Sequence, residues 1–410
     1  MSGPAAMNNG ANAPVHTIIG AGHGLSHFYM LALPPLFPLM QAELGVSYAA
    51  LGLLVTLLNI ATGSLQIVAG AVADRYGAKH LLIGGLALMG VSIAAIGVVE
   101  TYWAMAFLML LAGVGNSVFH PADYVILNAS VDPSRLGRAF GIHTFSGNFG
   151  FAAAPPVMLA FASAFGWRGA LIAAGALSFA AIAVVLGFGD RLRDDAALAR
   201  ASAASPAKSA PISHWRAVSS TAILAMFAFY IAIGMASAGM QAFLVTALVA
   251  FHALDLGSAN SILTGLLIAT ALGVLVGGYL ADRSGRHGPI VGSSLVLSAL
   301  LAGSAGLAPL PVALLFAMFV TVGALQGVIR PSRDLLVRSI APKSAVGTVF
   351  AFVSTGLNVG NAIAPVIFGV LLDHGEAQSI FGALAMFYLL GVAAIAASRR
   401  RARGATTIAT

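Results

Sequence analysis

Two polar interruptions break otherwise apolar stretches of this chain: FHPADY at 119–124 and IRPSRD at 329–334. The first brings His120 and Asp123 together, and the second brings Arg330, Arg333 and Asp334. A guanidinium presents a bidentate fork matched to carboxylate or phosphate. Imidazole changes charge near neutral pH, and a carboxylate beside it can pass a proton. In GHGLSHFY, His23 and His27 are four apart, hence on one face of a helix. Such a pair can hold a metal, but a metalloenzyme needs further His or carboxylate clusters. The sequence shows none, so neither a metal nor a cofactor is expected.

Arg330, Arg333, His120, His23 and His27 are therefore candidate binding groups for an anionic solute, with Tyr124, Gln326, Asn116, Asn148 and Asn358 beside them. Tyr29, Asn59, His143, Tyr230, Gln241 and Asn361 form a second tier. Asp123 and Asp334 are candidates for proton coupling or a gate. Structural alternatives stand next to these roles. Asp123 and Arg333 can close as a salt bridge, Arg330 and Asp334 can pair at i and i+4, the histidines can bond to neighbouring backbone carbonyls, and Asn148 and Asn358 can hold helices together.

What positions these groups follows from composition. The 410 residues are 59% hydrophobic and 8% charged, with a mean hydropathy of +0.94, whereas soluble domains carry about 25% charge. This is the profile of an integral membrane protein. Long apolar runs without dyad alternation select helices over a barrel. At about 20 residues per span, the pattern predicts twelve helices, at 16–43, 48–73, 79–99, 102–130, 135–164, 167–188, 216–250, 257–281, 287–308, 311–340, 344–372 and 377–398. The expected domains are a cytoplasmic tail (1–15), a six-helix bundle (16–189), a cytoplasmic Ala/Ser/Pro-rich linker (190–215), a second six-helix bundle (216–398) and a basic cytoplasmic tail (399–410).

Charge placement gives the orientation. Of the 20 Lys and Arg residues, only Arg168 falls on the outer side of that layout, while Arg330 and Arg333 lie within a span. The remainder lie on the cytoplasmic side with both termini. The net charge of +7 thus reflects membrane orientation and not nucleic-acid binding. Lys79, Lys208 and Lys343 lack the glycine that precedes a phosphate-loop lysine, which removes ATP-driven transport by this chain. There is no cysteine, hence no disulfide or thiol chemistry.

A shift of 210 positions superposes the unusual residues of the halves: His120-Pro121 on Arg330-Pro331, Asn148 on Asn358, Gly150 on Gly360 and Pro155 on Pro365. Parallel repeats of this kind hold a binding site at their interface, near the bilayer midplane.

After the second and eighth spans stand GAVADRYGAKH (70–80) and GGYLADRSGRH (277–287). This pattern resembles the signature loop of the major facilitator superfamily, and the resemblance extends over essentially the whole chain. It implies an all-α membrane fold of two pseudo-symmetric six-helix bundles around a central cavity. Asp74, Arg75, Asp282 and Arg283 would then be latch residues at the cytoplasmic surface, away from the solute, with the aspartates capping neighbouring helices or pairing with arginines. VGNSVFHPADY and SGNFGFAAAPP are locally similar to the fosmidomycin-resistance exporters. Two positions depart from other family patterns: Met109 stands where many proton-coupled members carry arginine, and Ala154-Pro155 where drug antiporters carry Gly-Pro.

The expectation is a non-enzymatic, monomeric secondary transporter in an inner (plasma) membrane of bacterial type. It moves a small anionic organic solute by alternating access, with protons as the expected coupling ion. Efflux of drugs or phosphonates is the alternative within transport, and a non-transporting membrane sensor the alternative outside it.

Overall fold

The computed structural model describes residues 12–193, 218–342 and 345–407. Most of the expected linker, Lys343, and the start and last residues of the tails lie outside these. Among the described residues there are helices and no strands.

The first expected span is not one rod. Helix α1 (Asn12–Met30) gives way to a 3-10 turn at Pro34–Leu36 and a short α2 (Phe37–Leu44). Pro34, Pro35 and Pro38 lack the N–H groups a continuous helix would need. The next helices are α3 (Tyr48–Tyr76), α4 (Ala78–Ile96), α5 (Tyr102–Asn116) and α6 (Phe119–Ser130). Thus the expected span 102–130 is two helices in line. Helix α7 (Leu136–Gly187) contains the fifth and sixth spans, divided at Gly166, whose φ of 68° and ψ of 170° are non-helical.

The second half comprises α8 (Thr221–His252), α9 (Leu256–Ser284), α10 (His287–Ala305), α11 (Val312–Ile340), α12 (Val346–Asp373) and α13 (Ser379–Thr407). Among the described residues, and with α5 and α6 taken together as one stretch, ten helical segments are long and apolar enough to cross a membrane. Division of α7 makes eleven spans, and the broken first segment fits the twelfth place. Helix starts follow local chemistry: Ser47, Thr101, Ser220 and Asp255 each accept a hydrogen bond from the backbone N–H three residues on.

Packing repeats between the halves. In the first, α1 packs on α7, α3 on α5, and α4 on α5 and α7; in the second, α8 packs on α12, α9 on α11, and α10 on α11 and α13. Glycine allows this closeness. A Cβ on Gly113 would overlap the Leu58 carbonyl of α3, and one on Gly323, its counterpart 210 positions on, would overlap the Leu266 carbonyl of α9. With no hydrophobic drive between helices in lipid, such backbone proximity supplies the association.

Between halves, α3 packs on α12 and α7 on α9. Asp373 accepts from the Tyr48 and Ala49 N–H groups at 2.6 and 2.9 Å, so a carboxylate of one half caps a helix of the other. Thr56 donates to the Ala362 carbonyl at 2.5 Å, and Asn59 to the Asn361 carbonyl at 3.2 Å. These bonds close the bundle at the end opposite Arg75 and Arg283.

The signature segments differ from the expected loops. Arg75 and Arg283 lie in the last turns of α3 and α9, followed by Gly77 and Gly285 at positive φ. The N-cap residues of α4 and α10, Gly77 and Arg286, make no side-chain cap, no cap by Asp282 is found among the described residues, and the side chain of Asp74 lies outside them. Arg75 lies over Tyr76 and Arg283 over Tyr279, each in its own helix.

Neighbouring glycines of α9 provide a test. A Cβ on Gly277 meets the Val328 carbonyl at 2.6 Å, whereas one on Gly278 meets nothing within 4 Å. Gly277→Val is expected to cost about 1–3 kcal/mol by overpacking and to lower the melting temperature in detergent. Gly278→Val is expected to leave it unchanged.

Candidate functional site

The site begins where α5 ends. Ser117 donates its backbone N–H to Gly113 and Val114 and its hydroxyl to the Val114 carbonyl, and α6 starts afresh at Phe119. Pro121 therefore falls in a first turn, where a missing N–H costs little. The counterpart Pro331 lies inside the continuous α11.

This restart directs Asp123 into the first half, where it is fully buried. Its Oδ2 lies 3.0 Å from His143 Nε2 of α7. His23 Nδ1 of α1 stands 3.3 Å from the same oxygen, in ion-pair range but off hydrogen-bond alignment. The His23 and His143 rings stack at 3.6 Å, and His23 lies 4.5 Å from the His27 ring and 5.0 Å from the His120 ring, between centroids. The carboxylate thus ends a cluster of four imidazoles. Gly147 of α7 makes room for it, because a Cβ there would stand 2.8 Å from His23 Nε2 and 3.0 Å from His27 Cε1.

His23, His27 and His120 face a cavity of about 330 Å³ between the halves. Asn59 and Asn116 complete its wall on that side, and Gln241, Gln326, Arg330, Arg333, Asn358 and Tyr388 form the other. Arg330 donates to Asn148 Oδ1 at 3.3 Å, across the interface. Among the described residues no carboxylate lies within ion-pair distance of it. Arg333 is engaged differently, donating to Asp334 at 3.0 Å with its guanidinium over the Tyr230 ring, while the Tyr230 hydroxyl donates to Asp334 at 2.9 Å.

Neither structural alternative for the arginines is present. Asp123 is held by imidazoles of its own half and not by Arg333, and Asp334 takes Arg333 in place of Arg330. The alternative of an imidazole bonded to a nearby carbonyl is absent too: Nδ1 of both His27 and His120 is buried without a partner.

Eight candidates line the cavity: His23, His27, His120, Asn116, Gln326, Arg330, Arg333 and Asn358. Asn116 also donates to Thr62 of α3, and Gln326 to the Tyr388 hydroxyl at 2.7 Å. Asn148 borders a small adjoining recess with Arg330. Tyr124 lies outside the cavity, packed edge-on against Phe140. Asp123 is buried behind the wall, and Asp334, half exposed, is not among the lining residues.

Sequence reasoning missed Tyr388, whose signal was a hydroxyl inside the apolar stretch AMFYLLG. It also left His143 in the second tier. The repeat held a clue, since the position 210 residues on is the apolar Val353.

The ground for expecting no metal is corrected by the fold. His23, His27 and His120 offer ligand atoms all within 4.8 Å of one another, and so do His23, Asp123 and His143. The further ligands that α1 lacked in sequence come from α6 and α7.

A family model for the Major Facilitator Superfamily matches residues 19–257 and 231–408. A fosmidomycin resistance protein of Escherichia coli is 24% identical over 381 residues, 92% of this chain and 91% of its own. A probable nitrate/nitrite transporter of Mycobacterium tuberculosis is 28% identical over 372 residues, 85% of this chain and 87% of its own. The crystal structure of a bacterial homologue of the human lysosomal transporter Spinster, inward-facing and occupied, superposes with a TM-score of 0.78 at 14% identity, over 97% of this chain and 98% of that one.

A buried carboxylate that loses its hydrogen-bond partner is left unsatisfied, at about 1–3 kcal/mol and more when charged. His143→Ala is therefore expected to lower the melting temperature far more than the isosteric Asp123→Asn. Adding Asp123→Asn to His143→Ala is expected to recover much of that loss, a coupling that a thermal-unfolding double-mutant cycle measures.

Proposed function

The chain belongs to the major facilitator superfamily, a family of membrane transporters, and we propose that it carries a small organic anion by rocking its two halves about the central cavity. The observation that carries this reading is Arg330. It faces the cavity with a neutral asparagine as its hydrogen-bond partner and, among the described residues, no carboxylate within ion-pair distance, the nearby Asp334 being bonded to Arg333. A guanidinium inside a span costs about 2.5–3.5 kcal/mol by insertion scales, and a cavity that admits a carboxylate, phosphate or phosphonate offsets that cost. Arg333 is already neutralised by Asp334, which leaves Arg330 as the primary anion contact. Asn358, Gln241, Gln326 and Tyr388 are suited to donate to the remainder of the solute.

The relatives support this chemistry to the extent of their names, since nitrate and nitrite are anions. Export of drugs or phosphonates, in the manner suggested by the fosmidomycin resistance protein, is the alternative for solute and direction.

By the positive-inside rule the basic ends of α3 and α9 face the cytoplasm of a cell bounded by an inner membrane. The bonds from Asp373 to α3 then form the closed outer gate. Arg75, Asp282 and Arg283 would latch the cytoplasmic side in the opposite state, as the halves meet there. Proton coupling through Asp123 is a second reading, favoured by the imidazole contacts that link this carboxylate to the cavity. Solute flux unaffected by an imposed pH gradient in proteoliposomes would overturn it.

Anion binding is testable on purified protein. Wild type screened against carboxylates, phosphates and phosphonates is expected to melt at a higher temperature with at least one of them, since a ligand that binds only the native state stabilises it by mass action. Arg330→Ala is expected to abolish that shift and Arg333→Ala to reduce it. Equal shifts in wild type and Arg330→Ala would remove this guanidinium from the site.

A further inference from the structure

We propose that His23, His27 and His120 form a binding site for a borderline divalent transition metal, of the zinc, nickel or cobalt class, on the cavity wall. None of these three imidazoles is bonded to Arg330, the anion contact. Three imidazoles from two helices converge with ligand atoms within 4.8 Å of one another. Histidines at mid-span bond to a backbone carbonyl, to a carboxylate or to water when their role is structural. Here Nδ1 of both His27 and His120 is buried without any partner. Imidazole nitrogen suits zinc, nickel, cobalt and copper, and is a poor ligand set for magnesium or calcium.

The surroundings fit the same reading. A metal-binding histidine commonly turns its other ring nitrogen to a carboxylate, which fixes the tautomer and aims the ligating nitrogen. Asp123 Oδ2, itself held by His143, stands 3.3 Å from His23 Nδ1, in ion-pair range, and a small rotation of the ring would align the two as such a pair. The opposite nitrogen, His23 Nε2, is left free to ligate. Three nitrogen ligands at about 2.0–2.1 Å from a tetrahedral zinc lie about 3.3–3.4 Å from one another. The triad therefore closes on the ion when the distances between its ligand atoms shorten by up to about 1.5 Å, within reach of side-chain torsions. The rings of His23 and His27 already sit where a Cβ on Gly147 would be, so only glycine at 147 admits the cluster. The fourth position opens to the cavity, available to water or to an anionic oxygen, which is the pattern of an exchangeable site and not a closed structural one.

The repeat argues for a specialised feature over a packing accident. The positions 210 residues after His23, His27 and His120 are Ile233, Ser237 and Arg330, so the second half carries no such triad.

The test uses the full-length protein in detergent with its affinity tag removed. Cobalt(II) titration is expected to give the visible absorption of a tetrahedral site saturating at one ion per chain, and zinc is expected to displace it and raise the melting temperature. Magnesium is expected to do neither. His27→Gln and His120→Gln are expected to weaken zinc affinity more than 10-fold, while His80→Gln, on an exposed position outside the cluster, leaves it unchanged. If the glutamine variants do not fold, His120→Cys retains a ligand. Because the chain has no cysteine of its own, a thiolate-to-cobalt charge-transfer band would then arise only from that position. Absence of a saturable cobalt spectrum in wild type, affinity in the glutamine variants equal to wild type, or absence of the thiolate band in folded His120→Cys would each overturn the site. Arg330→Ala is expected to bind zinc normally, so loss of anion binding alone bears on the transport reading and loss of metal binding alone on this one.

Discussion

The bilayer interior cannot solvate a charge, and the placement of each ionisable group inside the spans answers to that constraint. Asp123 is enclosed by His23 and His143. Arg333 is enclosed by Asp334 and Tyr230. Arg330, held only by an asparagine of the opposite half, opens to the cavity. The fold gives the first two groups partners of their own half, Asp123 through one of its two oxygens, and leaves the third to whatever enters between the halves. A single unmatched guanidinium in a polar cavity is therefore the point from which a transport reading follows.

The two halves share one packing scheme but not one chemistry. Gly113 and Gly323 press against partner helices in the same manner, and the helix pairs of one half recur in the other. Into this common frame the first half inserts an imidazole–carboxylate cluster and the second an arginine-rich turn. The proline of each interruption illustrates how the scheme diverges. Pro121 falls in the first turn of a restarted helix, which turns Asp123 inward, whereas Pro331 is carried within an unbroken one. A symmetric scaffold with asymmetric walls presents different groups to opposite faces of one solute.

Much of the architecture was legible in sequence because its signals are strong and local: apolar run lengths, basic loops, and a repeat anchored by glycine and proline. The break at Gly166 fell where the fifth and sixth spans were expected to part. The restart at Phe119 was less legible, since Pro121 in sequence permits a bend, and its missing N–H, which leaves the Ser117 carbonyl without its helical donor, divides the span there instead. Partner choice was the part the sequence did not show. Repeat symmetry suggested Asp123 against Arg333, but each found a nearer partner in its own half, and symmetry carries no information on which contact is shorter. The same limit concealed the histidine cluster, because His23, His120 and His143 are distant in sequence and only the packing of α1, α6 and α7 joins them. Tyr388, on a helix with no other polar cue near it, becomes part of the site through its bond to Gln326.

The most direct test of the account is uptake of a stabilising anion, labelled, into proteoliposomes that contain the purified chain. Wild type is expected to give saturable flux above protein-free vesicles, and Arg330→Ala, correctly folded and inserted, to fall to the protein-free level. Flux in Arg330→Ala equal to wild type, or binding of the anion by wild type without any flux, would contradict it.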